Sequence, residues 1–484
     1  MNMADLPSRK GARIYCIGIK GTGMCALVEL LHHAGFQVSG SDRMEAFYTD
    51  RILQALGIPY FESFDPRHLP ADAELVIYSA AYSPETNSEL AEARGRGLPL
   101  LKYTDALGAY SAGFDASGIA GVHGKTTTTA MAGVLIRGAG LPAQILAGSA
   151  VGAFGGRSTL ILGNTYFVAE TCEYRRHFLS FHPRRIVLTS VEPDHQDYYP
   201  TYESIRDAFL AYGRKLPPGG ELIYCADDPG AREVAKLLEQ EEGGREKRFI
   251  PYGFTASGAF RIQSYQVAHE QAMVVLAGFP GPLQLRIPGR HSALNAAGAL
   301  ALTDALVKAE APGGWQQEQW EGARQRLAAF TGSKRRSEIL GERGGVLFMD
   351  DYAHHPTAVG TTLAGLKEFY PQRRLVLSFM SHTYTRTASL LDEFARCFEQ
   401  ADITVLHKIY PSARESASLG ISGETLFAKT KARQDRVYYV AEPLDAVGLL
   451  REVLRPGDLF ITMGAGDNWK LGQALFAQTV EGGP

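Results

Sequence analysis

A glycine turn followed by lysine and threonine at a helix start is residue chemistry that grips a nucleoside triphosphate. The chain carries it as Gly121-Val122-His123-Gly124-Lys125-Thr126-Thr127-Thr128-Thr129. The short apolar Gly118-Ile119-Ala120 before it reads as a strand, and Ala130 to Ile136 after it as a helix. Backbone N–H groups and the positive helix end would cradle the phosphates. The lysine would reach the outer ones, and the first threonine hydroxyl can hold Mg²⁺. The full form of such loops puts glycine at position 119, where Ile119 stands. The loop predicts chemistry driven by ATP.

Other clusters share its character. Gly18-Ile19-Lys20-Gly21-Thr22-Gly23-Met24 follows a buried-looking strand, and Gly40-Ser41-Asp42 ends the next one. The spacing G-x-x-G-x-G differs from the dinucleotide form, and an acid such as Asp42 at that strand end could bond a ribose hydroxyl. This predicts a nucleotide-bearing substrate on a helix N-terminus. A nicotinamide-binding redox enzyme is the alternative, but it would leave the Lys125 loop idle. Glu170-Thr171-Cys172-Glu173 and Val191-Glu192-Pro193-Asp194-His195 also end strands. Mg²⁺ takes hard oxygen ligands and tolerates one imidazole, so Glu173 and His195 could share it. His354 and His355 stand beside Asp350 and Asp351 and could bind metal, although neighbours on a strand point to opposite faces, so at most one would face the site. Lys334-Arg335-Arg336 lies at a domain junction, where an arginine could reach phosphates. His32 and His33 read as structural.

Alternating strands and helices must position these residues. Arg13–Ile17, Phe36–Ser39 and Leu75–Tyr78 are the expected strands of an N-terminal doubly wound segment, with a helix from Met24 to His33. Tyr110-Ser111-Ala112-Gly113 reads as a linker. A middle segment has strands at Tyr166–Ala169, Ile186–Thr189 and Glu221–Tyr224, a helix from Ser204 to Arg214, and an antiparallel-looking stretch from Arg248 to Pro288. A third has strands at Val346–Met349, Leu375–Ser378, Ile403–Leu406 and Leu459–Thr462, each followed by polar clusters. Ligands of open α/β sheets bind beyond such carboxyl ends. The predicted fold is α/β in three domains, 1–112, 113–330 and 331–484, within a length of 484 residues. The outer two are Rossmann-like and the central one resembles P-loop ATPases.

A formal net charge of −3 argues against nucleic-acid or membrane-surface partners. The first ten residues lack an apolar signal core, and no run reaches the roughly 18 apolar residues of a membrane span. Cys16, Cys25, Cys172, Cys225 and Cys397 have no paired spacing, so neither zinc nor a disulfide framework is expected. The expected compartment is the cytoplasm.

Together these motifs, from Gly18 to Lys470, resemble those of the Mur ligases, ATP-dependent amide-forming enzymes of peptidoglycan precursor synthesis. The family's Gly-x-His-Gly-Lys-Thr-Thr-Thr loop is matched by Gly121–Thr128, and its Glu-Pro/Ala-Asp-His motif by Glu192–His195. Gly289-Arg290-His291-Ser292-Ala293-Leu294-Asn295 and Asp350–Thr357 match two further motifs. The resemblance implies that Gly18, Lys20, Gly21, Thr22, Gly23, Ser41 and Asp42 hold the UDP of UDP-N-acetylmuramate. It implies that Gly121, His123, Gly124, Lys125, Thr126, Thr127, His291, Asn295, Arg335 and Asp351 meet ATP, and that Thr126, Glu173 and His195 hold Mg²⁺. The implied reaction activates the sugar carboxylate as an acyl phosphate, which the amine of L-alanine attacks, expelling phosphate. Lys125, Glu173, His195, His354 and Arg386 would be its catalytic residues, in a monomer or homodimer.

Several positions depart from the family pattern. Glu170-Thr171-Cys172-Glu173-Tyr174-Arg175 stands for Glu-Ala-Asp-Glu-Ser-Asp, and Thr383 for an arginine. Ala353 and Ala358 replace a glycine and a glutamate, a form closer to the sister ligase that recycles murein tripeptide. Alanine, glycine, serine and a preformed peptide thus stay open as the added group, and a non-catalytic ATP-binding relative is a further alternative.

Overall fold

A computed structural model describes residues 11–196, 198–411 and 420–479. The chain packs as two compact units. One comprises the chain through Glu192, residues 205–252 and residues 298–323; the other comprises residues 193–204, 253–297 and the chain from Arg324.

The first unit contains two sheets. Five parallel strands run in the order Tyr60–Phe61, Gln37–Ser41, Arg13–Ile17, Leu75–Tyr78 and Leu100–Lys102. A parallel strand covered on both faces must be apolar throughout, which is why only Arg13 of Arg13–Ile17 is exposed. The second sheet has seven strands, ordered Arg248–Tyr252, Glu221–Cys225, Arg185–Leu188, Asp115–Ala120, Tyr166–Glu170, Ala143–Val151 and Arg157–Ile161. Its one antiparallel pair is the last. Asp115–Ala120 is central and ends in the phosphate loop, so the carboxyl ends of its neighbours, at Glu170 and Thr189, flank that loop.

Two sequence expectations need correction here. Tyr110 and Ser111 are not a linker but the end of a helix, Tyr103–Ser111. The small residues gave no hint that Tyr110 is a core side chain, packed on Phe114 and Phe167 and donating to Gln144 Oε1 at 2.7 Å. Arg248–Tyr252 is the parallel edge of the seven-stranded sheet; antiparallel pairing begins only at Ile262.

The second unit holds a three-stranded antiparallel sheet, Ile262–Ala268, Gln271–Leu276 and Leu283–Leu285. Its main sheet has six strands, ordered Glu338–Arg343, Val346–Asp351, Asp458–Met463, Arg374–Phe379, Ile403–Leu406 and Val437–Tyr439. All pair in parallel except the hairpin of the first two. Phe348, Val376, Val405 and Phe460 anchor its core. Mixed α/β architecture with several sheets is thus the observed fold. Among the described residues no helix is long and apolar enough to cross a membrane.

Candidate active site

The phosphate loop is pinned from the neighbouring strand. Val122 N donates to Ser190 O at 3.1 Å, His123 N to Ser190 Oγ at 2.9 Å, and Thr189 Oγ1 to His123 O at 2.5 Å. Gly121 has φ +139°, and a Cβ there would lie 2.1 Å from Thr189 Oγ1, so only glycine fits. The helix Lys125–Gly138 then starts, and its first N–H groups have no acceptor within the helix. Ile119 lies in the buried strand rather than in the turn, which explains why the glycine at that position is dispensable.

Around this helix start the side chains form an oxygen-rich cluster. Lys125 Nζ lies 2.8 Å from Glu173 Oε2, and it also donates to the carbonyls of Gly121 and Val122. Burial pulls the Lys125 ammonium down, but the Glu173 and Glu170 carboxylates outweigh it and hold it above the usual lysine value. Thr126 Oγ1 donates to Glu170 Oε2 at 2.7 Å, and Gly148 N donates to the same oxygen at 2.8 Å. One hydroxyl and two carboxylates make a hard donor set that fits Mg²⁺. His123 Nε2 stands 2.8 Å from Glu192 Oε1.

At the first glycine cluster three of the side chains named from the sequence have partners within the fold. Gly18 N and Ile19 N bond Ser41 O, and Asp42 accepts from Lys20 N at 2.7 Å and Arg43 N at 2.8 Å. Asp42 therefore fastens the loop. The Lys20 ammonium is fully buried against Glu62 at 2.5 Å and Asp50 at 3.3 Å, so its charge is spent inside the fold. The Ser41 hydroxyl donates to Glu89, a buried carboxylate that also accepts from Tyr15 and Asp65 N. Thr22 and Gly23 open the helix Thr22–His33, and Gly23 leaves room for Tyr103, whose hydroxyl would stand 2.9 Å from a Cβ.

In the second unit Asp194 and Arg386 form a buried pair, Nη2 to Oδ1 at 2.7 Å. Burial would raise the Asp194 carboxyl, but the Arg386 guanidinium outweighs it and holds it well below the usual range. His195 has φ +53°, and its N–H bonds Asp194 Oδ1 at 2.7 Å. His354 is kept neutral by burial first and by Arg386 second. Its Nδ1 lies 2.9 Å from Tyr352 O, which makes Nδ1 the protonated nitrogen and leaves an acceptor at Nε2. His355 is not on a strand: it caps the helix Pro356–Phe369, its Nδ1 accepting from Thr357 N at 3.3 Å. Chain direction after the strand, not side-chain alternation, separates the two histidines.

Arg335 and Asp351 also have partners within the fold. Arg335 Nε bonds Asp350 Oδ2 at 3.0 Å and Nη2 bonds Gly464 O at 2.6 Å, so the guanidinium is held at the sheet end. Asp351 accepts from Ser337 N at 2.6 Å and Ala353 N at 2.7 Å, and burial raises its carboxyl. His291 behaves differently. Its Nδ1 is buried with no hydrogen-bond partner among the described residues, and burial pushes the ring down to about 4. Asn295 lies buried one turn further along the same helix, Arg290–Glu310.

Comparison with known proteins decides the family. Residues 13–115 match the Mur ligase family catalytic domain, 119–303 the Mur ligase middle domain, and 335–466 the Mur ligase glutamate ligase domain. A protein of Treponema pallidum named UDP-N-acetylmuramate–L-alanine ligase is 52% identical over 477 residues, covering 98% of each chain. The chain is a Mur ligase. Its fold is similar to that of a UDP-N-acetylmuramate–alanine ligase from Thermotoga maritima, with a TM-score of 0.75 and 22% identity, over 96% of this chain and 98% of that one. A murein peptide ligase from Psychrobacter arcticus aligns with a TM-score of 0.65 and 22% identity, over 96% and 98%.

Within this Mur ligase, sequence reasoning missed Glu170 and the Asp194 pairing. Glu170 ends the same apolar strand that led to Glu173, so the strand-end rule already pointed to it. The partner of Asp194 lies 192 positions away, and nothing local marks it.

Proposed function

We propose that this ATP-dependent ligase joins L-alanine to UDP-N-acetylmuramate in the cytoplasm, releasing ADP and phosphate. The reading rests on the Lys125–Glu173 and Thr126–Glu170 pairs at the phosphate loop, in a chain so similar along its length to the named ligase of Treponema pallidum. The loop N–H groups and Lys125 bind and orient the triphosphate. Thr126, Glu170 and Glu173 supply the first unit's oxygen ligands for Mg²⁺, which when bound neutralises phosphate charge. His195 keeps its proposed part as a ligand. The free Nδ1 of His291, with Asn295, supports a nucleotide contact in the residue class that the family implies.

The helix start at Thr22–Gly23 receives the diphosphate of the UDP-sugar. The sugar carboxylate takes the γ-phosphoryl group, and the alanine amine displaces phosphate from the resulting acyl phosphate. His354, neutral and with Nε2 unprotonated, can accept a proton from that amine, and Arg386 can meet a carboxylate. The three-part division at 112 and 330 follows the same reading, with ATP chemistry assigned to the middle part.

The test is Lys125→Ala. Phosphate release dependent on UDP-N-acetylmuramate and L-alanine should fall by about a hundred- to a thousandfold, the order seen on removing a group that stabilises transition-state charge. Activity within tenfold of the parent refutes the assignment. Replacing L-alanine by glycine, L-serine or murein tripeptide in the same assay decides the added group, and preference for the tripeptide would overturn the alanine reading.

A further inference from the structure

Directly after Glu173 the backbone does something unusual for non-glycine residues. Arg175 (φ 51°, ψ 25°) and Arg176 (φ 59°, ψ 29°) are consecutive and both left-handed. L residues visit that region at a cost and almost never in pairs. The segment is fixed on both sides. Before it, Glu173 is buried against Lys125; after it, Phe178 stacks on Tyr212 with centroids 4.5 Å apart and meets Phe209 edge-on at 5.4 Å. Arg176 N donates to Glu173 O and Phe178 N to Cys172 O, which closes the turn. Strain so firmly imposed marks a place where the side chains matter more than local comfort.

The side chains are cationic, exposed and unmatched. Neither guanidinium has an acidic partner among the described residues; Arg175 only rests 5.6 Å from the Tyr174 ring. The carboxylate that opens the turn, Glu173, is paired with Lys125. The resemblance places serine and aspartate after this glutamate, so the charge beside the loop has reversed. Planar guanidiniums bind phosphate and carboxylate through paired N–H groups.

We infer that Arg175 and Arg176 form a binding site for the sugar carboxylate of the UDP-sugar substrate. The loop N–H groups and Lys125 serve ATP and the Thr22–Gly23 helix start serves the diphosphate of the UDP-sugar, so the unmatched charge falls to the sugar carboxylate. The inference rests on the proposed activity and names a determinant of substrate affinity within it.

The experiment uses the full chain and steady-state phosphate release with each substrate varied in turn. Arg175→Gly/Arg176→Gly removes both charges and suits the left-handed backbone, so the melting temperature should hold or rise. KM for UDP-N-acetylmuramate should increase by about tenfold or more, with KM for ATP and L-alanine changed by less than about twofold. Arg175→Lys/Arg176→Lys, which keeps the charge, should recover most of the affinity. An unchanged KM for the UDP-sugar in the glycine variant, a rise confined to ATP or L-alanine, or a fall in melting temperature with KM retained each overturns the inference. A parent chain that releases no phosphate with UDP-N-acetylmuramate refutes the proposed activity and this site with it. A parent that turns over while the glycine variant keeps its KM refutes the arginine pair alone.

Discussion

Removing Asp194 should reveal how strongly the second unit depends on one buried pair. Arg386 Nη2 meets Asp194 Oδ1 at 2.7 Å, and the two side chains are 7% and 5% exposed. Without the carboxylate, the guanidinium keeps among the described residues only two contacts to His382, each 3.4 Å long, and its Nε has no partner there. Stripping one member from a buried ion pair costs about 3–5 kcal/mol, because the other charge stays desolvated. Asp194→Ala and Arg386→Ala should each lower the unfolding free energy by roughly that amount. The double variant should fall well short of the sum, with a coupling energy of about 2–3 kcal/mol. Urea unfolding followed by circular dichroism measures all three. The pH dependence has a definite sign. The Asp194 carboxyl is depressed in the fold, so its contribution is full above the unfolded value near pH 4 and drains away below it. The coupling should therefore be constant between pH 8 and pH 5, values well above that range. A single-variant cost below about 1 kcal/mol, or simple additivity, would refute the reasoning.

Two further outcomes are expected. His407 is buried between Ser378 Oγ at 2.8 Å and Val440 O at 2.7 Å, and burial pushes it down to about 4. The unfolded chain binds that proton below about 6.5, so stability falls as the pH falls, by about 1.4 kcal/mol per unit in between. His407→Gln should remove one such increment from the slope measured between pH 6 and pH 5, and an unchanged slope would contradict it. Gly121→Ala forces a Cβ to within 2.1 Å of Thr189 Oγ1 and 2.7 Å of Ser190 N. KM for ATP should rise by about tenfold or more, consistent with roughly 1–3 kcal/mol of strain, whereas Gly152→Ala, with open space around it, should leave KM unchanged.

Much of this arrangement was legible in one dimension because periodicity and chemistry coincide at strand ends. Leu75–Tyr78 and Ile403–Leu406 are strands with the limits expected from their apolar runs. The phosphate loop was legible because lysine, threonine and glycine each serve a fixed local geometry. What stayed hidden depends on partners distant in sequence. Ser41 and Lys20 look available beside a glycine cluster, yet Glu89 and Glu62 claim them from 48 and 42 residues away. Arg335 likewise looks like an outward-reaching cation until Asp350 and the carbonyl of Gly464 hold it. Tyr110 looks like part of a linker because small neighbours dominate a short window, whereas its burial on Phe167 is settled by the sheet.

The discontinuous first unit has a consequence for how the chain is made. All seven strands of the phosphate-loop sheet have left the ribosome's active centre by Tyr252, but the unit also needs residues 298–323. Those residues cover specific places: Glu310 accepts from the Tyr166 hydroxyl at 2.8 Å, and Gly298 fits against the Tyr252 ring. The helix that begins at Lys125 ends at Gly138, whose missing Cβ admits the backbone of Ala323. At about 5–20 residues per second, the nascent sheet waits several seconds with these surfaces bare. Chaperone engagement in that interval would govern the yield of active ligase, so a ribosome stall placed between residues 252 and 298 should trap a protease-sensitive intermediate that a stall well beyond residue 323 does not.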